Sequence, residues 1–381
     1  MEKIILILCF ICIGYLFFEK KRATNQRKTF KYVIHVNGIR GKSTVSRLID
    51  AGVRAGGYKT FTKTTGTSPR TISVFGEEKE ISRKGKANIK EQIKAINWAY
   101  KEGAEVLILE CMAVKPELQH ICENKILDSD IGVITNVRED HLDEMGKTLD
   151  EIAESLSNTV PKNGAFFTSD KKYFEFFKRK AEEKNSKAFI NEKEKKEYWE
   201  IDFANNVALA VEVCKYMGID EEKALKGMRE YHKDPGCLKT LAYKNEKGHE
   251  VFFVNAMAAN DPNSTDIILE RISKRPYWKN KRYLLVNNRG DRVSRWEQYI
   301  KFVKSVEDKF DKIVVSGENR ELFKKYLLKN RVDENKIEIL QNEKYFDEIE
   351  DGILIFAVGN ICGHGKKLVD YLENKGEIID G

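Results

Sequence analysis

The sequence predicts an α/β protein: an apolar N-terminal helix, then two units built on mainly parallel sheets. Three observations carry this. Short apolar runs alternate with segments of helical period through the chain after residue 31. The first of these runs, residues 32–36, opens into a turn containing Gly38 and Gly41 and then into an amphipathic helix. The pattern restarts after Asp234-Pro-Gly-Cys237, where a second series of strands and helices begins.

In chain order, residues 4–18 (IILILCFICIGYLFF) carry no charge. As a helix this run is about 22 Å long, against a hydrocarbon core of about 30 Å. Lys3 and Lys20 can snorkel to close the gap, and no small-x-small cleavage pattern follows. The reading is one uncleaved transmembrane helix, preferred over a signal peptide or an interfacial helix. Residues 19–32 then hold Lys20, Lys21, Arg22, Arg27, Lys28 and Lys31 against Glu19, which is +5 of the formal net charge of +7. This collar belongs on the cytoplasmic side, giving a single-pass cell-membrane protein with its folded units in the cytoplasm. Because the excess charge is concentrated there, it points to a membrane collar and not to a nucleic-acid surface. The seven cysteines are scattered and odd in number, which fits reduced thiols.

After the turn, Val45, Leu48, Ile49, Gly52 and Val53 recur at helical spacing. A glycine turn between strand and helix lets backbone amides converge on an anion at a helix N-terminus. Lys42 would reach the β- and γ-phosphates of a nucleotide, and the Ser43 hydroxyl would ligate Mg²⁺. The spacing G-x-x-G-K-[ST] is shorter than the common phosphate-loop string, so the strand-and-helix context carries the assignment against an ordinary glycine turn.

Residues 60–70 (TFTKTTGTSPR) read as a hydroxyl-rich loop without apolar periodicity. A helix follows over 89–100, then a strand over 104–109 ending in Glu110, and one over 131–135 ending in Asn136. A further strand covers 164–168, residues 171–200 read mostly as a solvated helix face, and 203–217 is helical with Asn205 and Asn206. Gly38, Glu110 and Asn136 all stand at carboxyl ends of strands, where open α/β sheets gather ligands. Glu110 is placed to share Mg²⁺ with Ser43, or else is a strand-end acid facing water. His141 is a second metal ligand, a phosphate contact, or a histidine satisfied at a helix start. In the second unit strands are expected over 250–254, 282–286, 312–315, 337–340 and 352–358. Asp291-Arg292 follows the second of these: its guanidinium could fork onto a phosphate, or form a surface ion pair. No Gly-x-Ser-x-Gly elbow and no zinc spacing of Cys and His is present.

Taken in order, these motifs resemble the Mur ligase superfamily over residues 33–366. Asn37-Gly-Ile-Arg-Gly-Lys-Ser-Thr44 resembles its ATP loop. Thr65-Gly-Thr-Ser-Pro-Arg70 is similar to the Thr-Ser-Pro-His loop of the folylpolyglutamate synthase branch, with Arg70 in place of His. Thr135-Asn136 through Asp140-His141-Leu142-Asp143 is similar to the T-N-x-x-x-D-H-L-D stretch, and Asn206-Val-Ala-Leu-Ala resembles the adenine-side helix. Gly290-Asp291-Arg292 and the loop at Gly363-His364 fit the C-terminal domain. The Gly-Ile-Arg-Gly-Lys-Ser and Ala-Asn-Asp-Pro-Asn-Ser-Thr265 stretches, with the N-terminal apolar helix, resemble the CapB/PgsB group of poly-γ-glutamate synthase subunits in particular.

That resemblance implies an anchor over 1–22, a Mur-ligase-like P-loop domain over 23–240 and a Rossmann-like C-terminal domain over 241–381. It implies ATP-dependent amide formation: a γ-carboxylate is activated as an acyl phosphate and joined to glutamate, with Mg²⁺ required. Asn37, Gly38, Ile39, Arg40, Gly41, Lys42, Ser43, Thr44, Asn136 and Asn206 would then bind nucleotide. Ser43, Thr67, Ser68, Glu110 and His141 would serve the metal, and Lys42, His141, Asp291 and Arg292 the chemistry. The implied partners are glutamate, the growing poly-γ-glutamate chain, and CapC/PgsC-like and CapA/PgsA-like membrane subunits; a homo-oligomer stays open. Two departures stand out: Pro-Gly-Cys237 replaces the usual Pro-Gly-Arg, and Asn255 or Asp261 meets the Asp of the Asp-x-Ala-His-x-Pro loop. No lysine among 162–196 is singled out for carbamylation. The competing readings are a folylpolyglutamate-synthase-like ligase and a tethered NTPase that energises export.

Overall fold

The computed structural model describes residues 2–66, 68–83, 85, 87–191, 194–234, 237–259, 262–290, 293–361 and 363–380. Contacts divide the chain into Met1–Asp234 and Pro235–Gly381.

The first unit is built on β1 (Tyr32–Asn37), β2 (Thr60–Thr64), β3 (Arg70–Ile72), β4 (Glu78–Glu80), β5 (Val106–Glu110), β6 (Ile131–Ile134), β7 (Ala165–Thr168) and β8 (Lys187–Ile190). Their order is β4-β3-β2-β5-β1-β6-β7-β8. The strands from β2 to β8 pair in parallel, and β3 and β4 add an antiparallel edge. Alternation decides which face each side chain covers. Ile34, Val36, Val106 and Ile108 pack with the helices on one face, while Val33, Leu107 and Leu109 join the core on the other. β1 is therefore apolar on both faces, as a central parallel strand must be.

The helix after β1, α2 (Lys42–Ala55), buries Val45, Leu48, Ile49, Gly52 and Val53 against the helix Ala204–Tyr216. A Cβ at Gly52 would stand 2.6 Å from Cys214 Sγ, so glycine sets that close approach.

Residues 60–64 are not loop. They form β2, buried throughout between β3 and β5. Their polar side chains are matched inside: Thr62 Oγ1 donates to Asp50 Oδ1 at 2.7 Å, and Lys63 Nζ lies 3.7 Å from Glu91 Oε2. The loop begins only at Thr65. Residues 171–200 likewise hold more than a helix: Phe174–Glu183 is helical, and β8 follows it as the far edge of the sheet.

The N-terminal helix α1 (Glu2–Arg27) has 26 residues. Its last turns dock on the first unit. Ala23 and Gln26 are buried, Arg22 and Gln26 donate to Asn97 Oδ1 at 2.8 and 3.1 Å, and Arg27 reaches Leu127 O and Asp130 Oδ2, both at 2.8 Å. Among the described residues no helix is long and apolar enough to cross a membrane. The expected transmembrane helix is thus not shown: the uncharged run is short, and Lys20, Lys21 and Arg22 follow within the same helix. What stands out is exposure, for Ile4, Phe10, Ile13 and Phe17 are each more than half exposed.

The second unit holds β9 (Lys239–Lys244), β10 (Glu250–Asn255), β11 (Lys281–Asn288), β12 (Lys312–Gly317), β13 (Ile337–Ile339), β14 (Ile353–Gly359) and β15 (Glu377–Asp380). Their order is β13-β12-β11-β14-β10-β9-β15, parallel from β13 to β10 and antiparallel through β9 and β15. Both sheets are therefore mixed. The central β14 is buried along its whole length, and the register sets Asn255 beside Ala357 and Asn287 beside Gly359.

Candidate functional site

The turn after β1 has its shape fixed by two glycines. Gly38 has φ 122°, and a Cβ there would sit 2.1 Å from Thr135 Oγ1. Gly41 has φ 79°, and its Cβ would sit 2.9 Å from Asn206 Oδ1. Side chains from the next strand pin the loop between them. Asn136 Oδ1 accepts from Arg40 N at 3.1 Å, Asn136 Nδ2 donates to Arg40 O at 3.0 Å, and Thr135 Oγ1 donates to the same carbonyl at 2.6 Å. The Arg40 guanidinium meets Asp140 at 3.1 Å. No side chain caps the first turn of α2 and no acid stands in it, so its positive end faces the loop. Lys42 Nζ folds back to Gly38 O at 2.8 Å and Ile39 O at 3.4 Å.

Asn37 ends β1 at the start of the turn. It is buried, and its Nδ2 donates to Gln119 Oε1 at 3.2 Å and Thr159 Oγ1 at 3.1 Å. The side chain braces the base of the loop from inside. Asn206 does stand at the loop, beside Gly41, and donates to Asp202 Oδ1 at 3.4 Å.

Glu110 ends β5 level with Val36 and is 2% exposed. Its Oε2 accepts from Ser43 Oγ at 2.8 Å and from Thr65 N at 2.7 Å. The Ser68 hydroxyl is buried and without a hydrogen-bond partner, and Thr67 lies outside the described residues. His141 caps a short helix with φ 51°; its ring nitrogens lie 3.9 Å from carboxylate oxygens of Asp140 and Glu144. Asp140 thus stands between Arg40 and His141. Asp291 and Arg292 lie outside the described residues.

Among the described residues no group of three or more His, Cys, Asp or Glu side chains is placed to hold a metal. One carboxylate and one hydroxyl do meet at the mouth of an anion loop. That donor set fits a hard cation that takes its remaining oxygens from phosphate and water.

Several buried charges near the site escaped the sequence reading. Arg47, one turn after Ser43, is fully buried; its Nη1 donates to His232 O at 3.0 Å, its Nη2 pairs with Glu78 at 2.5 Å, and its Nε lies 3.9 Å from Asp234 Oδ2. Lys63 is also fully buried. Burial pushes its pKa down, against the pull of Glu91 and Glu110 in the other direction. Below the loop, His35 Nδ1 meets Glu123 Oε2 at 2.7 Å, and Ser129 N and Oγ donate to the other carboxylate oxygen at 2.9 and 2.7 Å. Burial opposes charge on both partners, yet His35 is pushed up by Cys111 and Cys122 beside it, and Glu123 is pushed down by His35 and by its hydrogen bonds from Ser129. One signal was visible, since His35 is the single polar residue inside the first buried strand run.

Comparison with known proteins agrees with this geometry. The Mur ligase middle domain family matches residues 36–229, and the poly-gamma-glutamate synthase CapB C-terminal domain family matches residues 240–375. PGA synthase CapB of Bacillus subtilis (strain 168) is 37% identical over 384 residues, covering 96% of each chain. Capsule biosynthesis protein CapB of Bacillus anthracis is 43% identical over 278 residues, 71% of this chain and 60% of that protein. In fold, the chain is similar to the bifunctional folylpolyglutamate synthase/dihydrofolate synthase of Yersinia pestis solved with AMPPNP and Mn, with TM-score 0.70 and 13% identity over 93% of this chain and 92% of that one. A phosphate-loop unit matched to one family and a second unit matched to the other, with a relative aligned nearly end to end, lead to one conclusion: the chain belongs to the CapB family of Mur-ligase-like proteins.

Proposed function

We infer that the chain is an ATP-dependent amide ligase that extends poly-γ-glutamate. The observation that carries the reading is the Ser43–Glu110 pair at the mouth of the glycine turn. Set at the N-terminus of a helix behind a glycine turn, such a pair fits a phosphoryl-transfer site that holds a nucleotide and a hard cation. In the reaction, a γ-carboxylate oxygen at the chain end attacks the γ-phosphorus of ATP, and the bond to ADP breaks. The amine of the next glutamate then attacks the acyl phosphate carbon, phosphate leaves, and the amine proton is lost. Loop amides at Gly38–Thr44 hold the phosphates, and Lys42 leaves the Gly38 carbonyl for the β- and γ-oxygens. Ser43 and Glu110 would hold Mg²⁺, which would supply charge neutralisation there. His141, Asp291 and Arg292 complete the catalytic set, with Arg292 forking onto the transferring phosphoryl group. The test uses glutamate labelled with ¹⁸O in the γ-carboxylate: label should pass into released phosphate. ATP hydrolysis that ignores glutamate and leaves phosphate unlabelled would point instead to an NTPase.

The same reading extends to location and partners. α1 attaches the protein to the cell membrane, with both units on the cytoplasmic side. Exposed apolar side chains at Ile4, Ile5, Ile7, Leu8, Phe10 and Ile11 surround the helix and do not form one stripe, which favours insertion over lying flat. Lys20, Lys21 and Arg22 then meet anionic headgroups. CapC/PgsC-like and CapA/PgsA-like membrane subunits are the proposed partners. Full-length protein should pellet with membranes, and a chain lacking residues 1–18 should not. Co-expression with the two subunits should yield glutamate polymer.

A further inference from the structure

The docked end of α1 fixes a direction. The helix α3 (Lys90–Lys101) runs against the strands it covers. Near its start Gln92 Nε2 donates to Glu110 O at 3.0 Å, at the carboxyl end of β5; after its end Ala104 N returns to Ala99 O and the chain enters β5 at Val106. α1 points the same way. Its last residue, Arg27, reaches Asp130 Oδ2 at 2.8 Å, and that oxygen also accepts from Val33 N at 2.7 Å, near the amino end of β1. Arg22 and Gln26 meet Asn97, midway along α3. Phe18 and Glu19 line one groove with Ile93 and Lys94, directly after Gln92.

Lengths along the two elements agree. From Val33 to Val36, the residue paired with Glu110, is about 10 Å of strand. From Arg27 back to Phe18 is about 13 Å of helix. α1 therefore runs mainly along the strands, and by Phe18 it has reached the level of Glu110. Residues 4–17, about 21 Å of helix, extend beyond the carboxyl ends, on the side where the glycine turn, Ser43 and Glu110 open. Ile4, Ile5, Phe10, Ile13 and Phe17 in this run are all more than half exposed. The helix is continuous from Glu2 to Arg27, so no loop separates the exposed run from the docked turns.

We propose that the docked turns of α1 hold the first unit with its site mouth facing the bilayer, so that ligation takes place at the membrane surface. The inference rests on the reading that α1 attaches the chain to a membrane, and adds which way the unit points. Apolar side chains on all sides of the run suit acyl chains, and Lys20, Lys21 and Arg22 at its base, with Lys90 exposed at the start of α3, stand where anionic headgroups lie. The growing chain end then leaves the site in the headgroup layer and not into bulk solvent.

The test adds the full chain to vesicles of phosphatidylcholine and phosphatidylglycerol, recovers it by flotation and treats it with an amine-acetylating reagent, reading each lysine by mass spectrometry. Lys90 and Lys115 stand at the carboxyl edge of the sheet, Lys59 and Lys101 at the amino edge, and all are exposed. On vesicles, acetylation of Lys90 and Lys115 should slow severalfold relative to the same chain in detergent, while Lys59 and Lys101 keep their rates. A chain that floats with both edges equally reactive, or with the amino edge protected, overturns the orientation and leaves attachment standing. A chain that does not float removes the attachment reading and the orientation with it. A flexible Gly-Ser linker inserted between Phe18 and Glu19 should preserve flotation and abolish the difference between the edges. A difference that survives the linker would overturn the role given to the docked turns.

Discussion

The carboxyl ends of the two sheets are furnished in opposite ways. In the first unit most of the groups there are engaged with protein: Glu110 with Ser43 and Thr65, the amides of Asn37 and Asn136 with Gln119, Thr159 and Arg40, and the Arg40 guanidinium with Asp140. In the second the ends carry amides. Asn255, Asn287 and Asn288 are all buried, yet Asn255 Nδ2, Asn287 Oδ1 and Asn288 Nδ2 have no hydrogen-bond partner. A buried polar atom left unmatched costs about 1–3 kcal/mol. One strand-end cluster is therefore assembled in advance for a highly charged ligand, where loose geometry would lose most. The other holds open dipoles that suit a ligand carrying both donors and acceptors.

The largest effect should come from the assembled end. Lys42→Ala removes the one flexible cation of the glycine turn, and glutamate-dependent ATP hydrolysis should fall by about 10³-fold. The thermal midpoint should hardly move, because Lys42 bonds only to loop carbonyls. Retained turnover would end the contrast between the two strand ends.

A second prediction asks whether the charged side is also where stability resides. Glu123→Gln leaves a buried His35 without its counter-charge and should destabilise the chain by about 3 kcal/mol. Glu123 is held below its ordinary value of 4.5, so its contribution is present above that pH and fades as pH falls through the lowered value. His35 is held well above 6.5, so its contribution is complete below 6.5 and fades as pH rises through the raised value. Urea unfolding should show the gap between the two proteins widest between pH 4.5 and 6.5 and narrower at alkaline pH. A pH-independent gap would mean that packing, not pairing, is lost.

The open end should respond more mildly and differently. Asn287→Ala should raise the KM for glutamate about tenfold, one good hydrogen bond's worth, and leave the KM for ATP within about twofold. Equal changes in both would show that Asn287 only supports the backbone of β11 and β14, through its bond to Asn360 O.

These clusters were unequally legible in sequence. The glycine turn could be read because backbone requirements fall on residue type: Gly38 and Gly41 sit where a Cβ cannot fit. Glu110 could be read because it closes an apolar run. Arg47 could not, for α2 is buried continuously from Val45 to Asp50, and a charge there breaks no visible period. Asp234 was quoted only as part of a boundary motif, since its approach to Arg47 joins residues separated by nearly the whole unit. The strands β9 and β15 were missed because Lys239 and Lys244 in the one and Glu377 in the other, an edge strand, break their apolar runs.

The strand β2 is the sharpest case, and it yields the smallest effect to measure. Thr-Phe-Thr-Lys-Thr reads as polar, yet every residue is buried. The hydroxyl of Thr62 is spent on Asp50, whose other oxygen accepts from Arg54 Nε at 2.8 Å. Burial raises the Asp50 pKa, and the Arg54 and Thr62 hydrogen bonds work against that rise. Thr62→Val would give the strand the β-branched apolar residue that makes such segments recognisable, at nearly the same volume. It should nevertheless lower stability by about 1 kcal/mol, because it withdraws a donor from a buried carboxylate. The loss should shrink in an Asp50→Asn background, where the acceptor no longer carries charge. If Thr62→Val were instead stabilising, the polar composition of β2 would owe nothing to Asp50, and hydrogen bonding could not explain why this strand reads as loop.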